Sequence, residues 1–556
     1  MPTRPLKPHS SSSRIRLWLR HSLQRGANIA NYKVWILAVV IGLITAHGVM
    51  AFTQGIEWLT RLAYGEGTRM IASSARELDP GRIWLAPVIG GVLVGVLLYL
   101  ARRLKWLPDT KCQGVAEVIE ARAGPPGHVS FRAGMANTLI ATLALGSGAS
   151  AGREGPAVLF GGAISTALSE RWKISGKDAR TLLGCGAAAA VAASFNAPIA
   201  GVLFALEVVL GNYALSIFGP VALASITATI VVQSYQRFFD LDVHGFLVPI
   251  YGTSGLADFP LAAFLGIICG IVAFSFLQLT ASCQKWVRRK IAKYKIEPAL
   301  LPPVAGVFMG TVALYFPEVL GVGYEATTEA LYGSYSILLL TALLILKIVA
   351  TAVCLSCRFG TGVFSGGIFF GAISGAAYGA TLALFIPDIA ASPTFYAMVG
   401  MGAVSGAILG APISTTLIVF ELTGDYQMTV ALMFAVGIAT MIAQATFGSS
   451  WFHWQLNQRG YDLSEGPQGV ILQTIRVRDV MRTMPADAAP LDDKAERVYA
   501  SHSLGEALAM MREKDLDGMP VTTAKDRNHV IGYITQVRAL AVYNRALIDS
   551  HVEHHR

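Results

Sequence analysis

Glu154 closes a run of small residues, GSGASAGREGP at 146–156, that has the composition of a backbone opened for ion binding. Gly146, Ser147, Gly148, Ala149 and Ser150 lead to Gly152, Arg153, Glu154, Gly155 and Pro156. Glycine lets the chain turn and approach an ion closely, and proline fits the first turn of a helix, where no internal N–H bond is needed. A helix beginning here presents unpaired N–H groups and the positive end of its dipole, which together favour an anion. Ser147 adds a hydroxyl donor without a full charge that would trap the anion. A carboxylate at Glu154 can occupy the same field when charged and leave it when protonated. Helix capping and a pairing with Arg153 are the other readings of Glu154. An ionisable residue in an otherwise apolar membrane stretch is a functional candidate by default. A second opened segment follows at Gly360, Thr361, Gly362, Val363, Phe364, Ser365, Gly366 and Gly367.

These segments must be positioned by helices, and an internal repeat shows which. GCGAAAAVAASFNAPIAGVLFALE ends at Glu207, and MVGMGAVSGAILGAPISTTLIVFE ends at Glu421, 214 residues later. Ala197 and Pro198 match Ala411 and Pro412, and each proline precedes its glutamate by nine residues. Upstream, LFGGAIS at 159–165 matches IFFGAIS at 368–374, in the same order. Repeated halves in a membrane predict a pseudo-two-fold transporter with its site at their interface.

Composition supplies the membrane. Of 556 residues, 53% are hydrophobic and only 14% charged, against about 25% charged in soluble domains. Apolar runs able to span the hydrocarbon core recur from Val34 to Phe447, good examples being 34–54, 84–100, 260–279 and 334–356. Between 131 and 214, prolines 156 and 198 and a charged stretch at 170–180 break the apolar pattern. Uniform crossings need no such breaks, whereas helix ends inside a membrane do.

The net charge of +9 does not indicate nucleic acid. Arg4, Lys7, Arg14, Arg16, Arg20, Arg25 and Lys33 precede the first span, and no acid appears before Glu57. That flank predicts a cytoplasmic amino terminus, with the first apolar run retained as a membrane segment rather than cleaved. Lys285, Arg288, Arg289, Lys290, Lys293 and Lys295 read as a cytoplasmic loop. The six cysteines, at irregular spacing, form no metal-ligand pattern, and no nucleophile with a base accompanies the motifs, so neither a metal nor a cofactor nor an enzyme is expected. Predicted domains are a basic segment at 1–33, a membrane domain at 34–460, a linker at 461–473, a small α+β unit at 474–545 and a tail at 546–556. The unit's 72-residue core is small and calls for a partner.

The motifs GSGASAGREGP, FNAPIAGVLFALE at 195–207 and GVFSGGIFF at 362–370 resemble, in order, those of the CLC family of chloride channels and chloride/proton exchangers. The resemblance implies an all-α polytopic fold of tilted and broken helices in an inverted repeat, in a bacterial inner membrane, with both termini cytoplasmic. It implies a homodimer with one pore per subunit, carrying chloride and, in some members, protons. By matching positions, Ser147 coordinates the central anion, Glu154 is the gate, and Ile368 and Phe369 give backbone N–H groups to the anion. Three positions depart from the family pattern. Where exchangers carry a second glutamate as internal proton relay, Glu207 is followed by Val208, which holds no proton; Glu207 itself reads as structural. The inner-gate tyrosine is replaced by Phe452, with His453 as the other register. Gly371 stands where a proline is frequent. The tail resembles a single CBS repeat, through VRDVMR at 477–482 and DGMPVTTAKDRNHVIGYIT at 517–535. Arg538 takes the place of a nucleotide-binding aspartate, so a structural role is expected there, with pairing across a dimer. The reading is chloride transport, uncoupled or weakly coupled and gated by voltage or pH through Glu154, with a chloride/proton antiporter as the alternative.

Overall fold

The structure is a computed structural model that describes residues 32–107, 114–123, 128–174, 176–239, 249, 251–252, 255–360, 362–460, 472, 475–484, 496–523 and 529–555. Thr361, most of the basic 1–33 segment and nearly all of the 461–473 stretch lie outside them.

The first half of the membrane body runs α1 (Tyr32–Tyr64), α2 (Ile71–Glu77), α3 (Pro80–Arg103), α4 (Val115–Ala123), α5 (Phe131–Gly146), α6 (Glu154–Arg171), α7 (Lys177–Phe195), α8 (Pro198–Phe204) and α9 (Leu215–Phe239). A π-helical turn, Ala205–Leu210, continues α8. The second half runs α10 (Asp258–Tyr294), α11 (Leu301–Ala313), α12 (Tyr324–Leu331), α13 (Ile337–Ser356), α14 (Phe364–Phe385), α15 (Pro393–Leu409), α16 (Pro412–Thr423), α17 (Tyr426–Phe447) and α18 (Trp451–Asn457). Among the described residues, seven helical stretches are long and apolar enough to cross a membrane, and several shorter apolar helices lie between them.

The repeat appears as matched helices. α7 stops at Asn196 and α15 at Gly410, both in the left-handed region (φ 53° and 67°), and prolines 198 and 412 open the next helices at their first positions. Small residues bring the paired helices into backbone contact: a Cβ at Gly161 would collide with the Gly186 carbonyl, and one at Gly371 with the Gly400 carbonyl. The repeat glutamates then exchange places. Glu207 accepts from the N–H groups of Ile413 (3.1 Å) and Ser414 (2.8 Å) on α16. Glu421 accepts from those of Ile199 (2.9 Å) and Ala200 (2.7 Å) on α8. Each carboxylate satisfies orphan donors at the start of the other repeat's helix.

The basic run 285–295 is helix rather than loop, because nothing in it breaks the end of α10. The helix stops only at Lys295, in the left-handed region (φ 51°), three residues before Pro298.

The C-terminal unit is α+β: α19 (Val477–Val480), β1 (Arg482–Thr483), β2 (Val498–Tyr499), α20 (Leu504–Glu513), β3 (Gly518–Thr522), β4 (Val530–Thr535) and α21 (Gln536–His555). The sheet order is β1-β4-β3-β2, with β2 and β3 parallel and the other pairs antiparallel. Ser503 and Glu506 form a reciprocal capping box on α20. Val477, Val498, Leu504, Met511, Met519 and Ile534 fill the core.

Candidate anion pathway

Glu154 is the first residue of α6 and is buried, with 2% of its surface exposed. Its two carboxylate oxygens accept from the hydroxyl of Ser365, each at 2.6 Å, and one also faces the Ser365 N–H at 3.3 Å. Ser365 is the second residue of α14, so the carboxylate lies across that helix's amino-terminal end. The two opened segments are joined directly, because the Gly152 N–H donates to the Gly362 carbonyl at 2.8 Å. Side chains would forbid this contact: a Cβ on Gly362 would strike the Gly152 carbonyl.

Arg153 turns away from the carboxylate. It donates to the Ser194 carbonyl (3.0 Å) at the end of α7 and to the Thr53 hydroxyl (3.4 Å), and its guanidinium lies 5.2 Å from the centre of the Tyr324 ring. Glu154 is therefore left to face the cavity.

That cavity is lined by Val115 of α4, Glu154, Gly155 and Val158 of α6, Phe204 of α8, Gly362, Val363 and Phe364 at the start of α14, and Phe452 and Gln455 of α18. Four helices, α4, α6, α14 and α18, thus bring their amino-terminal ends to one space. Their first-turn N–H groups and dipoles favour an anion there without a cationic side chain among the lining residues, and the Glu154 carboxylate is the charge that competes for that field. Phe452 is buried on the cavity side, whereas His453 is exposed on the other face of α18.

Ser147 is placed elsewhere. It caps the carboxyl end of α5, where free carbonyls rather than N–H groups repel an anion. Its hydroxyl donates to the Ala144 carbonyl (3.0 Å), its own carbonyl accepts from Tyr64 (2.9 Å), and its side chain fills the space beside Gly90 of α3. Gly146 packs on Leu59, and Gly148 (φ 101°) turns the chain beneath Tyr64. Of the predicted filter turns, Gly152 and Gly155 reach the site; Gly146 and Gly148 only connect helices.

A similar correction applies to Ile368 and Phe369. Both lie inside α14, where their N–H groups are engaged by the helix. The Gly367 N–H is already bonded to the Val363 carbonyl (3.0 Å), so the donors without a partner inside the helix are earlier, at Val363, Phe364, Ser365 and Gly366, with that of Ser365 turned to Glu154. Gly366 and Gly367 pack against Phe370 and Ser405, and Gly371 is packed inside the helix on Gly400 rather than ending an opened motif. Sequence reading missed Val115 and Gln455, and it named Val363, Phe364 and Ser365 as part of the second opened segment without assigning them the anion contacts. The available signals were Gly114 directly before the short helical pattern VAEVIE, and GVFSG at 362–366 as an earlier helix start.

α13 ties the 319–321 turn and the first opened segment to the membrane body. Lys347, fully buried, donates to the Val319 and Gly321 carbonyls, each at 2.8 Å, and lies 4.9 Å from the centre of the Phe369 ring. One turn on, Thr351 shares a hydrogen bond of 2.9 Å with Ser150.

A family model described as voltage gated chloride channel matches residues 102–444, a span that contains Glu154 and both opened segments. The chain belongs to that family. A ClcB-like protein of Ralstonia nicotianae is 30% identical over 414 residues, 74% of this chain and 93% of its own length. The voltage-gated ClC-type chloride channel ClcB of Escherichia coli O17:K52:H18 is 27% identical over 411 residues, 74% of this chain and 95% of its own. Among solved structures, that of a slow cyanobacterial Cl−/H+ antiporter superposes with a TM-score of 0.67 over 77% of this chain and 97% of its own, at 22% identity, a likeness of fold. Channels and transporters, not enzymes, make up the family, and the helix ends gathered around Glu154 form its broken-helix architecture in this chain.

Proposed function

We propose that the chain conducts chloride through the Glu154 cavity, with Glu154 as the gate, by an uncoupled or weakly coupled mechanism. The observation that carries this reading is the Glu154 carboxylate laid across the start of α14, where it takes the donors that a permeating anion needs. Protonation removes its charge, weakens its hold on the Ser365 N–H and leaves the field to chloride, so acidification or a driving voltage opens the path. Val363 and Phe364 offer the anion their N–H groups, and Phe452 narrows the path without donating to it.

Two features support weak coupling. Val208 follows Glu207 and cannot carry a proton. Glu207 itself is held by the α16 N–H groups as a cap, an arrangement suited to structure. The subunits pair as a homodimer with a pore in each, in a bacterial inner membrane with both termini cytoplasmic. The C-terminal unit acts as a CBS-like assembly module rather than a nucleotide sensor, since Arg538, which donates from Nε to the Val480 carbonyl at 2.6 Å, puts a cation where a ribose-binding carboxylate would be needed.

Purified protein in liposomes, with a chloride gradient imposed and external pH followed, tests the proposal. Rapid chloride efflux with no uphill proton movement is expected. Uphill proton movement driven by chloride would instead establish an antiporter, with a proton route that bypasses Val208, and absence of chloride flux would sink both readings.

A further inference from the structure

The end of α10 is longer than a membrane crossing requires. Its 37 residues extend about 56 Å at about 1.5 Å per residue, against a hydrocarbon core of about 30 Å. The apolar part, 259–279, is about as long as that core. The overhang that follows carries Lys285, Arg288, Arg289, Lys290 and Lys293, with Lys295 just past the helix, and no acidic residue occurs between Asp258 and Glu297. None of these six cations forms an ion pair among the described residues.

The overhang is also aromatic on its outer face. Trp286, Lys290 and Tyr294 recur every four residues and so share one stripe, while Val287 beside it is buried. Trp286 is 60% and Tyr294 58% exposed, and the Lys290 ammonium lies 5.5 Å from one ring centre and 5.6 Å from the other. Trp286 follows Leu279 by seven residues, which sets it roughly 10 Å beyond the apolar stretch, at headgroup depth. Lysine and arginine stems are long enough to bring their charges back to the same level. The end of α3 extends the surface: Arg102 pairs with Glu297, and Leu104, Lys105 and Trp106 beside it are exposed.

We propose that this overhang, with the end of α3, is a docking surface for the phosphate headgroups of anionic phospholipids. The aromatic stripe fixes depth at the interface, and the unpaired cations receive the phosphates. A phosphate anion supplies the charges that this stretch of the chain lacks, and the exposed rings lie at the depth where interfacial aromatics meet lipid headgroups. Each basic residue near an anionic surface strengthens its attraction by roughly fivefold.

Full-length protein in detergent, offered phosphatidylglycerol and phosphatidylcholine in equal amounts and read by native mass spectrometry, tests the proposal. Retention of phosphatidylglycerol should exceed that of phosphatidylcholine at least fivefold, and 0.5 M salt should erase most of the difference. The K285Q/R289Q/K290Q/K293Q variant should bring the ratio near one. W286A/Y294A should weaken retention of both lipids while keeping the ratio above one. A ratio near one in the unaltered protein, or the same ratio in the charge variant, overturns the proposal. Displacement of phosphatidylglycerol by millimolar inorganic phosphate would also overturn it, by revealing a site for the free anion.

Discussion

A carboxylate held by one serine hydroxyl and a neighbouring N–H can be displaced only by a ligand that satisfies the same donors. Chloride can do so, but it must compete with Glu154 for the start of α14. That competition separates three residues that look alike in sequence as small polar or acidic members of opened segments. Glu154→Gln removes the charge and should make chloride efflux independent of external pH and of voltage. Ser365→Ala removes the hydroxyl that both carboxylate oxygens use. Losing such a charge-assisted bond costs the bound carboxylate about 1.5–3 kcal/mol, so efflux at pH 7.5 should rise roughly tenfold or more. Ser147→Ala alters only the contact of the α5 end with Gly90 of α3, away from the cavity, and should change efflux less than about twofold. Efflux of reconstituted protein followed with a chloride electrode checks all three, and a large Ser147→Ala effect beside a silent Ser365→Ala would refute the cavity assignment.

Among the elements, the crossed capping of α8 and α16 is the feature that joins the halves. Glu421 reaches two N–H groups on α8 and Glu207 two on α16, so removing either leaves the orphan donors of a partly buried helix start without their carboxylate. Glu421→Ala should lower stability by about 1–3 kcal/mol, seen as a lower unfolding temperature of detergent-solubilised protein, and Glu421→Gln should recover part of it because its carbonyl still accepts. An equal effect of Glu207→Ala would mark that residue as structural, whereas a selective loss of proton movement with unchanged stability would mark it as a relay. The paired glutamates were legible in sequence because Pro198 and Pro412 fix the start of each helix and the spacing carries the glutamate to the facing end. The anion-facing ends were less legible. A glycine-rich run such as 146–156 contains both the end of one helix and the start of the next, and composition does not say which end holds Ser147. In 360–371, glycines recur so often that the helix could open at several registers. Contact with Gly152 fixes the observed one, and that contact spans the two repeats.

On the scale of the whole molecule, the described wall of the cavity belongs to the membrane body: it runs from Val115 to Gln455, and α18 ends at Asn457. The C-terminal unit packs its own core and, among the described residues, supplies none to that wall. The ClcB relatives make the same point, since 93–95% of their length aligns with only 74% of this chain, which leaves no room in them for a comparable unit beyond the aligned body. Ending the chain after Gly460 should therefore keep chloride efflux per protein within about twofold of the full chain and leave its acid activation intact. In the proposed reading, the unit contributes to assembly: its small core is closed by pairing across the subunits, and dimers gain stability from that second contact. The truncated protein should then dissociate to monomer at a lower detergent dilution, by roughly tenfold in concentration for each 1.4 kcal/mol lost. Size-exclusion chromatography with light scattering reads that shift. Unchanged dissociation with altered acid activation would make the unit a regulator of the gate instead, acting through the 461–473 stretch that follows α18.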